Sequence, residues 1–133
     1  MKPSIELLRL AKELLAGDSG TIRFNAGMVG LKFHPDAADL QDPKKTGILR
    51  FEKMARLMEN TWNKMMPEDK LAIGTPEVTS ITEDGDILTE VRTNISFGMK
   101  GGFPPNTEDK AVIAAYMRLL DVLMQNGYKT AYF

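Results

Sequence analysis

The sequence predicts an α+β domain: an antiparallel sheet in ferredoxin-like βαββαβ order, helices on one face, and an extra N-terminal helix. Three stretches carry this prediction. Asp84-Gly85 stands between two alternating runs and offers the two-residue turn that hairpins prefer. Between Ile48 and Met65 apolar residues recur at helical spacing. Ala111–Met124 (AVIAAYMRLLDVLM) carries only Arg118 and Asp121 as charges, so it reads as a helix buried on more than one side.

In chain order, Ser4 is placed to cap a first helix. Its apolar residues Ile5, Leu7, Leu8, Ala11, Leu14 and Leu15 form one stripe, and Gly17 sits where a left-handed terminating residue belongs. Gly20–Phe33 is β-rich, but its alternation breaks at Asn25-Ala26-Gly27. Either a short hairpin or one bulged strand fits there, and Gly27 permits both. His34–Thr46 reads as a polar loop with prolines at 35 and 43.

The helix over Ile48–Met65 places Ile48, Phe51, Ala55, Met58, Trp62 and Met65 on one face, widened by Met54, Leu57 and Thr61, and Pro67 stops it. Glu77–Gly98 is a hairpin. A two-residue loop sets Val78 opposite Val91, Ser80 opposite Thr89 and Thr82 opposite Ile87 on the apolar side, with Glu77 opposite Arg92 on the polar side. GMKGGFPP, residues 98–105, breaks the chain, Asn106 or Thr107 caps the all-apolar helix, and Asn126-Gly127 ends it. YKTAYF closes the sequence as a short strand.

A length of 133 residues fits a single domain, residues 1–133, with room for a core that needs no staples. Seventeen basic residues against 18 acidic leave no strong field to steer nucleic acid or membrane toward the chain. Cysteine is absent, so there is neither a disulfide framework nor a thiolate centre, which fits a reducing compartment. The charges at Glu6, Arg9, Lys12 and Glu13 interrupt the first apolar run, unlike a signal peptide, and the expected location is cytoplasmic.

Candidate sites are sparse. His34, Asp36, Asp39 and Asp42 share one loop, but their spacing matches no calcium loop, and solvated Asx turns are the simpler reading. Lys100-Gly101-Gly102 offers backbone amides to a phosphate, yet Phe103-Pro104-Pro105 intervenes before the helix and removes two donors. The single histidine has no serine near it in sequence and no Gly-x-Ser-x-Gly elbow exists, so nucleophilic catalysis has little support. The solvent face expected for the hairpin (Leu88, Glu90, Arg92, Asn94, Ser96) lacks the aromatics of RNA-recognition modules.

The sequence therefore predicts a non-enzymatic module that binds a protein partner or itself, with neither cofactor nor metal. The expected interaction surface combines Leu7, Leu10 and Leu14 with Met54, Leu57, Met58 and Trp62. The competing reading is a small enzyme or a phosphate or metal binder using the 34–42 loop and the 100–102 turn. Nucleic-acid binding ranks third.

Overall fold

The computed structural model describes residues 19–25, 27–97, 101–102 and 108–132. In chain order these form β1 (Gly20–Asn25), β2 (Met28–Phe33), α1 (Ala37–Gln41), α2 (Pro43–Met65) and β3 (Leu71–Ile73). There follow β4 (Glu77–Glu83), β5 (Asp86–Phe97), β6 (Gly101–Gly102), α3 (Lys110–Gln125) and β7 (Tyr128–Tyr132). The first predicted helix, with Leu7, Leu10 and Leu14, lies outside the described residues, as does Lys100.

The α+β class holds, but the ferredoxin-like antiparallel sheet does not. Gly20–Phe33 resolves into a hairpin in which Asn25 pairs with Met28 and Gly27 takes φ +87°, a conformation that costs a glycine nothing. That turn adds one chain reversal. β2 then pairs antiparallel with β5 (Leu31 opposite Val91), while β7 meets the other edge of β1 running the same way (Ile22 beside Thr130). The result is a mixed, strongly curled half-barrel with strand order β3-β5-β2-β1-β7. β4 shares with β3 one edge of β5, and the two-residue β6 pairs with Ser96 and Phe97.

The β4–β5 hairpin has the predicted register, pair for pair: Glu77 opposite Arg92, Val78 opposite Val91, Ser80 opposite Thr89 and Thr82 opposite Ile87. Asp84 (φ 51°) and Gly85 (φ 85°) supply the two positive-φ positions. Between β3 and β4, Gly74–Pro76 stand against only Thr93 and Asn94, a bulge that sharpens the local twist. Its loose backbone groups are satisfied: Thr93 Oγ1 donates to the Thr75 carbonyl at 3.0 Å and the Gly74 amide donates to the Asn94 carbonyl at 2.9 Å. At the far end, next to the Asp84-Gly85 turn, Ile87 is 62% exposed although it alternates with the core side.

The 34–46 stretch holds more structure than a loop. Asp36 and Asp39 form a reciprocal capping box around α1, and Asp42 caps α2 with Pro43 in its first turn, five residues before the predicted start at Ile48. α2 buries Phe51, Met54, Ala55, Met58 and Trp62. It comes close to the sheet at Gly47, where an added Cβ would lie 3.1 Å from Val78 Cγ1 and 3.3 Å from Val91 Cγ2. α3 is capped by Asp109, whose Oδ1 accepts from the Ala111 amide at 2.9 Å; the expected caps Asn106 and Thr107 lie outside the described residues. It turns Val112, Ala115, Leu119 and Leu123 inward, onto a core shared with α2 and with Ile22, Phe24, Val29, Leu31, Val91 and Ile95 of the sheet. Its burial is one-sided, because Ile113 and Met117 remain 40% and 64% exposed.

Candidate binding surface

The sheet has one face under the helices and a second, largely open face on which Leu88, expected at the surface, is nevertheless buried; strict pairing decides which side chains the open face carries. Thr21, Arg23 and Asn25 alternate with the buried Ile22 and Phe24 on β1. Across β2 their partners are Lys32, Gly30 and Met28, and across β5 these meet Glu90, Arg92 and Asn94. One row across three strands thus reads Arg23, Gly30, Arg92.

Gly30 needs no special φ; its role is to leave the row bare. A Cβ there would lie 3.2 Å from Arg92 Cγ, so the missing side chain lets the Arg92 stem lie down on the sheet. From that position Arg92 Nε meets Glu90 Oε1 at 3.0 Å, and Arg23 Nη1 approaches Glu90 Oε2 at 4.0 Å from the other side. Glu90 is the half-buried hub, with its side chain 12% exposed, against 32% for Arg23 and 56% for Arg92. The carboxylate thus stands between the two cations, within 3.0 Å of Arg92 and 4.0 Å of Arg23. Arg23, Asn25, Met28, Gly30 and Arg92 line a shallow depression of about 170 Å³ there.

Charge on this face is divided. The β7–β1–β2 half carries Lys129, Arg23 and Lys32, and the β4–β5 half carries Glu77, Glu83, Asp86 and Glu90 together with the single cation Arg92. Lys32 Nζ bridges the halves, donating to Glu83 Oε2 at 2.6 Å, and this bond holds the Glu83 carboxyl below its ordinary range.

The residues singled out in the sequence are dispersed by the fold. Asp39 is 3% exposed and takes a bidentate grip from Arg50, which lowers its pKa; Asp36 and Asp42 cap helices. His34 is exposed and points elsewhere, 3.8 Å from Asp86. Among the described residues no group of acidic and histidine side chains is arranged to hold a metal. Gly101 and Gly102 are drawn into β6. Met54, Met58 and Trp62 are fully buried and Leu57 half-buried, so the methionine-rich face belongs to the domain's own core. Trp62 even spends its indole N–H inside, donating to the Asp69 carbonyl at 2.8 Å. Among the described residues no helix is long and apolar enough to cross a membrane.

Sequence reasoning had Glu90 and Arg92 on a polar face but missed Arg23 and Gly30. The signal was present: Thr21-Ile22-Arg23-Phe24 alternates cleanly, and Gly30 is a lone glycine inside an apolar strand, a mark of close approach. Comparison with known protein families, characterised proteins and solved structures finds no match to this chain.

Proposed function

We propose that the domain is a binding module that takes an acidic segment of a partner protein on the open face of its sheet. The supporting observation is the pair Arg23 and Arg92, which flank the half-buried Glu90 from opposite sides of a glycine floor. The Arg92 guanidinium, held at 3.0 Å by Glu90, has less rotamer entropy to lose on binding, and the planar fork of a guanidinium matches a carboxylate. Lys129 and Lys32 in the neighbouring row extend the same sign along β7 and β2.

Fluorescence anisotropy with a labelled hexaglutamate peptide tests this reading, with a labelled single-stranded oligonucleotide beside it. Saturable peptide binding that weakens with salt is expected. Arg23→Gln and Arg92→Gln should each weaken it about tenfold or more, the scale of a lost charge-assisted hydrogen bond. Lys44→Gln, at the exposed start of α2, should leave it unchanged. Equal affinity in the arginine variants, or preference for the oligonucleotide, overturns the assignment.

A further inference from the structure

We propose that the cleft between α2 and the start of β7 binds a small amphipathic anion, a carboxylate carried on an apolar body. Leu49, Lys53, Arg56 and Asn60 recur at spacings of four, three and four, which sets them on one side of α2. That side borders a cavity of about 380 Å³, lined opposite by Asn126 and Tyr128 at the α3–β7 turn. The size falls within the range of small-molecule pockets, about 300–1,000 Å³. The cleft lies on the helix side of the sheet and shares no residue with the depression around Arg23 and Arg92.

Tyr128 selects the ligand's head group. It stands in register with Gly20 on the strand that sends Ile22 and Phe24 inward, so its ring is on the helix side, and the residue is only 5% exposed. Its hydroxyl makes no hydrogen bond among the described residues. An enclosed hydroxyl in that state would be a buried polar atom without a partner, and the described residues include none, so the oxygen opens onto the cavity. Burial, opposed by the charge of Arg50, pushes the phenol pKa above its ordinary value, so at neutral pH the group is protonated and donates. The rim adds charge of matching sign. Lys53 and Arg56 are exposed and form no ion pair among the described residues, and Glu52 is the one acidic side chain in the lining, so the cavity carries net positive charge. The body of the ligand follows from the rest of the lining. Leu49 is 55% exposed and Leu57 half-buried, and with the Tyr128 ring they offer apolar surface that a bare inorganic anion leaves uncovered.

An amide NMR titration of the full-length protein with phenylpropanoate tests this. Phenylpropanamide keeps the apolar body without the charge, and inorganic phosphate keeps charge without the body. Saturable shifts at Lys53, Leu57, Asn126 and Tyr128 are expected with phenylpropanoate, and binding at least tenfold weaker with either comparison compound. Tyr128→Phe, which removes only the hydroxyl oxygen, should weaken binding about tenfold, as for one lost hydrogen bond to a charged group. Lys53→Gln, at an exposed position that leaves folding intact, should weaken it about threefold, as for an exposed charge pair. Arg23→Gln, on the other face of the sheet, should leave it unchanged. Shifts centred elsewhere, no shift at millimolar phenylpropanoate, equal affinity for the amide or for phosphate, or unchanged affinity in Tyr128→Phe or Lys53→Gln overturns the proposal.

Discussion

Arg50 lays its guanidinium against the Asp39 carboxylate in a two-pronged contact, Nε donating to Oδ1 at 3.1 Å and Nη2 donating to Oδ2 at 2.8 Å. The same guanidinium lies 4.8 Å from the centroid of the Phe33 ring. One side chain thus ties α1 to α2 and both to the end of β2. Because Asp39 is buried while Arg50 is 38% exposed, the two are not equivalent to lose. Arg50→Met should destabilise the domain by about 1.5–3 kcal/mol, the range for a hydrogen bond to a charged group, because it strands a buried carboxylate. Asp39→Asn should cost less. Urea unfolding of the two variants checks the order, and equal small losses would show that the clamp contributes little.

The same contact fixes a pH response. The Arg50 hydrogen bonds hold the Asp39 carboxyl below its ordinary 3.8 in the folded protein. A carboxyl with a depressed folded pKa gives stability that is complete above the unfolded value and lost as pH falls through the folded one. Unfolding free energy should therefore decline as pH drops below about 3.8, and Asp39→Asn should flatten that part of the curve. A variant with the parent's full acid slope would assign the response to other groups.

Packing on α3 predicts unequal costs for neighbouring leucines. Leu119 is fully buried and Leu120 only partly so. Leu119→Ala should cost about 2–5 kcal/mol, as for large-to-small changes in a packed interior. Leu120→Ala should cost clearly less. Melting curves that reverse this order would mean that α3 is rotated about its axis.

These residues also show what the sequence revealed and what it hid. The Asp84-Gly85 hairpin was legible to the exact register because turn chemistry and cross-strand pairing are local and agree. The start of α2 was legible too, in Asp42 followed by Pro43, but the polar character of the stretch masked it. The sheet order was not legible. It depends on β7 lying parallel to β1, a pairing between residues about a hundred positions apart that leaves no mark on either strand. The sequence marked α3 as the helix buried on more than one side and offered the methionine-rich face of α2 as a surface, yet the fold consumes Met54, Met58 and Trp62 and leaves Ile113 and Met117 outside. Arg23 and Arg92 are separated along the chain and become neighbours only when β2 comes between their strands.

Gly30 separates binding from folding. Gly30→Val improves the intrinsic strand preference of β2 but places side-chain atoms where the Arg92 stem lies, 3.2 Å from the position of an added Cβ. The variant should keep the parent's melting temperature to within a few degrees while binding hexaglutamate about tenfold more weakly, as for one lost charge-assisted contact. Unchanged affinity would mean that Arg92 has no part in binding.

The most direct measurement is an amide and arginine side-chain NMR titration of the full-length protein with unlabelled hexaglutamate. The account predicts that shifts concentrate at Arg23, Gly30 and Arg92, extend to Lys32 and Lys129, and spare the amides of α2. Shifts centred on the helices, or no shifts at millimolar peptide, would contradict it.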